Sequence, residues 1–432
     1  MLLSLTAIPL GAVLSGLTQR DKAALACTHP QLLASVGEWW AEADLVIEDQ
    51  HSADAFLAWL DRVKPELKWL ELFPAASLVN WDTGPSPSFY LTMPYFERVL
   101  RACPTLRKLA ACVEMTDATI DIDHPNLEDL ALATRGSSEC VDMTGCPELR
   151  TLRMEGFANE DMIDFILCPP ATHTMTLINF IDVDKIIAPG LVDARMHWIR
   201  DEQAMDPGRI GFDADTAKNL KTLRISESAF QWTGGTPTPM TSLETLELVD
   251  VDVGEFPDEW IAGLTSLKKL VFDSSSDHLP PLPKARLEYL KLVDGPNVAP
   301  GDLRGMGALQ TLEIDRTPDH DFFPEVAGIK ELIVMDTIFA DNNWNVLSPA
   351  LDTLVFKLAY YHGGHRHVLE AADWPRCHLG RVKNVTVQTS LEWVLDLIKG
   401  LDYPNHAVHY SVMTHKTDVL GRTIHVADFV AK

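Results

Sequence analysis

Apolar and polar residues alternate along this chain in one recurring phrase, Leu-x-x-Leu-x-Leu. It stands at Leu243/Leu246/Leu248, Leu287/Leu290/Leu292 and Leu309/Leu312/Ile314. Other copies are Leu67/Leu70/Leu72, Leu127/Leu130/Leu132, Leu149/Leu152/Met154, Leu220/Leu223/Ile225, Leu267/Leu270/Phe272, Ile329/Leu332/Val334, Leu351/Leu354/Phe356 and Val382/Val385/Val387, with a weaker one at Leu106/Leu109/Ala111. Most neighbouring copies start about 20 to 24 residues apart, while Leu351 and Val382 stand 31 apart. Leu149 and Leu220 stand about three periods apart, which predicts two weakly written units between them, near Met175/Leu177 and Ala194/Met196. The last two apolar residues of most phrases straddle a polar one, as a half-buried strand requires. A unit this short cannot bury its apolar face alone, so the units must stack.

On these copies, roughly residues 60 to 425 resemble the leucine-rich-repeat family. The resemblance implies an α/β solenoid: parallel strands on a concave face, helical or irregular return segments, and a small helical amino-terminal cap. Residues 46–432 would form the solenoid and its carboxy-terminal cap. Three returns read as helical: one starting at Pro257 with Asp258 and Glu259 in its first turn, one over Phe157 to Leu167 and one over Ser390 to Leu401. In many family members an Asn three residues beyond the phrase forms a buried hydrogen-bond ladder. Here Arg135, Phe157, Ser228, Val251, Ser275, Gly295, Thr317 and Thr337 hold that place, so the turns must satisfy their backbone groups otherwise. At the far end, His409 to Val412 and Thr423 to Ala427 alternate like strands and predict a closing hairpin.

Residues 1–45 do not follow the phrase. They parse as three short helices: one with Leu10, Val13, Leu14 and Leu17 on a face, one from Thr18 to Cys27, and one opened by Pro30 and running toward Trp39 and Trp40. This order of parts resembles an F-box, with Ile8-Pro9 where that motif has Leu-Pro. The resemblance implies that Ile8, Pro9, Val13 and Leu14 contact the adaptor of a cullin-type ubiquitin ligase. A bare helical cap over the first repeat is the alternative. A secretory signal over Leu2 to Leu17 is a third, although no Lys or Arg precedes it and the first positive side chain is Arg20.

Composition narrows the function. The 432 residues carry 36 basic and 62 acidic side chains, a formal charge of −26, which argues against nucleic acid or an anionic membrane as partner. No apolar run is long enough to span a bilayer. Seven cysteines in an odd, irregularly spaced set fit reduced, mostly buried thiols in an intracellular protein, cytoplasmic or nuclear.

The central outward position of each phrase is held by Glu71, Ala110, Ala131, Arg153, Arg224, Glu247, Val271, Lys291, Glu313, Ile333, Val355 and Thr386. The charged ones, Glu71, Arg153, Arg224, Glu247, Lys291 and Glu313, are the candidate binding residues for a protein ligand on the concave face. Their three acids and three bases cancel, so the acidity must reside in loops and on the opposite side. His362, His365 and His367, with Cys377 and His378 nearby, offer zinc-type donors, but their spacing matches no zinc motif and fits an enlarged surface loop. No nucleophile elbow, metalloprotease helix, P-loop or Cys-x-x-Cys is present. The reading is therefore a non-catalytic binding scaffold without metal or cofactor: an F-box-like ligase subunit, or an interaction scaffold with no ubiquitin role.

Overall fold

Every phrase becomes one parallel strand in the computed structural model of the chain. The structure describes residues 42–45, 47, 49–63, 66–72, 89–116, 118–156, 162–180, 182–197, 208–226, 230–232, 239–249, 251, 258–273, 279, 281–293, 303–314, 328–335, 351–358, 382–389, 406–417 and 423–431. The chain divides into two compact units, Met1–Leu220 with Ala229–Thr238, and Lys221–Ser228 with Pro239–Lys432.

In the first unit one ladder runs through β1 (Glu42–Leu45), β2 (Trp69–Leu72), β4 (Lys108–Glu114), β6 (Asp129–Arg135), β8 (Thr151–Gly156), β10 (Thr174–Ile178) and β12 (Asp193–His197). The short β3 (Leu91–Thr92) pairs with the end of β4. Both weakly written units are present, as β10 and β12. The ladder starts at Glu42, inside the segment assigned to the amino-terminal part, whose three helices lie outside the described residues.

Among the described residues of this unit, the returns before β2 and before β4 are helical. In α1 (Gln50–Val63), Ala53, Phe56, Leu57 and Leu60 are buried at helical spacing. In α2 (Met93–Ala102), Pro94 opens the helix and Met93, Phe96, Val99 and Leu100 are buried. A third helix, α3 (Ala214–Asn219), is capped by the Asp213 carboxylate, which accepts from Thr216 N at 3.1 Å.

From β4 onward the returns of this unit carry strands, the one after β12 followed by α3. The strands are β5 (Thr119–Asp121), β7 (Ser138–Asp142), β9 (Met162–Leu167), β11 (Asp182–Ile187), β13 (Gly208–Phe212) and β15 (Phe230–Trp232), paired in parallel as a second, six-stranded sheet. This corrects the helix expected over 157–167, whose described part, 162–167, is β9. Two outward residues separate the buried ones in these strands: Ser138 and Val141, Ile163 and Ile166, Val183 and Ile186. An i, i+3 spacing of apolar residues mimics a helix, but here it comes from strands that depart from strict alternation.

The second unit stacks β14 (Thr222–Ser226), β16 (Thr245–Val249), β17 (Lys269–Asp273), β18 (Tyr289–Val293), β19 (Thr311–Ile314), β20 (Glu331–Met335), β21 (Thr353–Leu358) and β22 (Asn384–Thr389), all parallel. The phrases align residue for residue: Leu246, Leu270, Leu290, Leu312, Leu332, Leu354 and Val385 form one row, none more than 2% exposed. Burying one such side chain contributes about 2 kcal/mol. The helix expected at Pro257 is α4 (Asp258–Ala262), which buries Trp260 and Ile261. The expected hairpin closes the ladder: β24 (Thr423–Ala431) runs antiparallel to β22, and β23 (His406–Thr417) antiparallel to β24. The helix expected over 390–401 and the histidine loop lie outside the described residues.

The turns satisfy their backbone without an Asn ladder. The N–H of the first leucine of a phrase donates to the carbonyl three residues earlier: Leu106 to Cys103, Leu149 to Cys146, Leu243 to Met240, Leu267 to Leu264. The carbonyl that follows that leucine then accepts two N–H groups from the next coil. Arg107 O receives Glu128 N at 2.7 Å and Asp129 N at 2.9 Å, and Lys268 O receives Glu288 N at 2.8 Å and Tyr289 N at 3.0 Å. The repeat therefore begins three residues upstream of its first leucine, at a buried position held by Cys103, His124, Cys146, Ala188, Met240, Leu264 and Met306. His124 fits this column because its Nε2 lies 2.9 Å from Cys103 O. The cysteine spacing is thus not irregular throughout: Cys103 and Cys146 hold equivalent positions two coils apart.

Candidate protein-binding face

Strand alternation directs the central residue of each phrase away from the core. In the second unit, register places Arg224, Glu247, Val271, Lys291, Glu313, Ile333, Val355 and Thr386 in a single row across β14 to β22. Four of the six candidate residues are thereby brought together. Glu71 and Arg153 belong to the corresponding row of the first unit, with Ala110 and Ala131 between them.

The second unit's row is built around Glu313, which is only 3% exposed. Its Oε1 accepts from Lys357 Nζ at 2.8 Å and lies 3.2 Å from Lys291 Nζ, while Oε2 accepts from the Tyr289 hydroxyl at 2.8 Å. Burial alone would raise the carboxyl's pKa, but the hydrogen bond and charge of Lys357, the charge of Lys291 and the Tyr289 bond together hold it below the ordinary glutamate value. The same contact acts oppositely on Tyr289, whose phenol is pushed up by burial and by the Glu313 carboxylate.

The network continues toward β14. Lys269 Nζ sits 5.3 Å from the centre of the Tyr289 ring and donates to Glu247 Oε1 at 2.7 Å; Arg224 Nε lies 3.3 Å from Glu247 Oε2. On the other flank Thr311 donates to Glu331 at 3.1 Å. Tyr289, Lys269 and Lys357 were not among the expected residues. They stand two positions before or after the central one, where alternation also directs side chains outward, and reading all three outward positions of each strand would have found them.

The first unit's row is different. Ala110, Cys112 and Ala133 are buried, with Tyr90 and Ala131 packed against them, so this stretch of small residues is already covered. Arg153 lies 3.6 Å from the buried Glu155. Burial also pushes thiols up, Cys103, Cys112 and Cys168 to about 12 and Cys146 to about 11.

Among the described residues no three His, Cys, Asp or Glu side chains gather as metal ligands, and no helix is long and apolar enough to cross a membrane.

Two parallel ladders, strand-for-strand register and an antiparallel closing hairpin define a repeat protein, a parallel β-solenoid whose units are rich in leucine. No family model matches the chain, and no curated protein matches it in sequence. Among solved structures, a leucine-rich-repeat protein of Leptospira interrogans aligns at 12% identity with a TM-score of 0.25, covering 67% of this chain and 100% of that one. The solenoid assignment rests on the ladders themselves.

Proposed function

We propose that this chain is a non-catalytic leucine-rich-repeat scaffold that binds a protein partner on the outward face of β14 to β21. The observation that carries this reading is the network from Arg224 through Glu247, Lys269, Tyr289 and Glu313 to Lys357. Its side chains are held by one another on a rigid ladder, so a partner orders them at little entropic cost. The half-buried Ile333 adds apolar surface between the charges, the mixture that protein interfaces use.

The test is proximity labelling with the full chain beside an Arg224→Glu/Lys291→Glu variant. A partner captured by the first and lost by the second supports the face; identical captures from both remove it.

The finer reading ties the scaffold to a ubiquitin ligase through Ile8, Pro9, Val13 and Leu14, and it is supported by the F-box resemblance alone. It predicts co-purification with the ligase adaptor that Val13→Asp/Leu14→Asp abolishes. A scaffold without a ubiquitin role predicts no such association.

A further inference from the structure

We propose that the outward face of the first unit's six-stranded sheet is a second docking surface, centred on Met162 and Phe165, for a basic amphipathic segment of a partner protein. Among the residues whose side chains are described, Trp69, Met162 and Phe165 are the large apolar ones that are exposed, at 40%, 38% and 42%. Two of the three lie on β9. Solvated apolar side chains gathered this way, rimmed by polar ones, mark interaction sites. Register sets Phe165 between Cys140 of β7 and Lys185 of β11, and sets the half-buried Leu167 between Asp142 and Ile187.

Charge decides the occupant. Glu139, Asp164 and Asp184 are bracketed by the pairs Ser138↔Ile163, Cys140↔Phe165, Val183↔Ile163 and Lys185↔Phe165. They therefore stack on three adjacent strands, at the roughly 4.8 Å spacing of a sheet. Like charges placed opposite one another disfavour the sheet, and a cationic partner relieves that repulsion. Asp121, Asp142 and Asp182 extend the acidic border, against Lys185 and Arg209. Oδ1 of Asp184 is shielded from water and meets no hydrogen-bond donor among the described residues. The row of acids runs directly beside the row holding Phe165, which matches a segment with leucine-like residues on one side and lysines or arginines flanking them. This face is separate from the one assigned to β14 to β21, and the two can fail independently.

The probe is a fluorescein-labelled helical peptide of leucine and lysine with its leucines on one face, titrated into the full chain by fluorescence anisotropy. Met162→Ser/Phe165→Ser should weaken binding by at least about tenfold, and Asp164→Asn/Asp184→Asn should weaken it and flatten its salt dependence. Arg224→Glu/Lys291→Glu should leave it unchanged. Ile163 and Ile166 keep the core side of β9 intact, and Phe165→Gln alone carries the same test if the double variant loses the wild-type circular dichroism. Equal binding by the serine variant, or by a peptide with serine in place of leucine, would overturn the proposal by reducing the contact to bulk charge. Self-association in sedimentation that Met162→Ser/Phe165→Ser abolishes would overturn it too, assigning the face to a second copy of the chain.

Discussion

Lys357 reaches Glu313 across an intervening strand: its Nζ lies 2.8 Å from Oε1 although β20 separates β21 from β19. A lysine stem is long enough to span two ladder steps, and the carboxylate it meets is also held by Lys291 and Tyr289. Replacing Glu313 by Gln leaves two ammonium groups facing an amide. With the lysine side chains 28% and 24% exposed, water recovers part of the loss, and the expected destabilisation is about 1–3 kcal/mol. Urea titration measures it, and a double-mutant cycle with Lys357→Met isolates the pair. A coupling of zero would mean that the two groups do not interact in solution.

The same carboxylate makes stability depend on pH. Its folded pKa lies below the ordinary value of 4.5, so between the two the unfolded chain binds a proton that the folded chain does not. The contribution is present in full above about 4.5 and is lost as pH falls through the folded value. Urea midpoints measured from pH 6 downward should drop less steeply in Glu313→Gln than in the wild type; parallel curves would count against the assignment.

Thiol chemistry should divide the cysteines by burial. Cys103, Cys112, Cys146 and Cys168 are free and buried, with thiols pushed up to about 11 or 12. Cys140 is only partly buried. Thiolate is the reactive form, so a maleimide at pH 7 should modify Cys140 well before those four in the folded protein. In urea the difference should vanish. Peptide mapping by mass spectrometry reads both, and early modification of Cys146 or Cys168 would contradict the packing.

Two glycines should respond oppositely to a methyl group. Gly136, in the turn between β6 and β7, has φ of 101° and would place a Cβ 2.4 Å from Met115 O, whereas a Cβ at Gly307 meets nothing within 4 Å. Gly136→Ala should cost about 2 kcal/mol or more, and Gly307→Ala should be neutral or slightly stabilising. Thermal unfolding of the two variants side by side decides this.

Much of the ladder was readable from residue order because each coil repeats the same short phrase, and a strand shifted by one residue would turn its leucines outward. That constraint is local to each unit and self-matching between units, so Leu246 finds Leu270 and Leu290 without information from elsewhere. The closing hairpin was readable for a similar reason, from alternation on both sides of a turn. The strand returns of the first unit were not. Ile163 and Ile166 sit three apart, and only pairing with Val141 and Val183 distinguishes such a strand from a helix turn.

The binding face divides along the same line. Periodicity placed Arg224, Glu247, Lys291 and Glu313 in one outward row, since alternation is a property of the strand. It could not show that Glu313 is buried on that outward face, that Lys357 crosses β20 to reach it, or that Ala110 and Ala133 are covered. Those outcomes depend on side-chain length, on neighbours more than twenty residues away and on what packs over each coil. The repeat dictates its own stacking because the apolar area of a single unit is useless to it alone, while the roles of the residues between the leucines arise only once the coils are assembled.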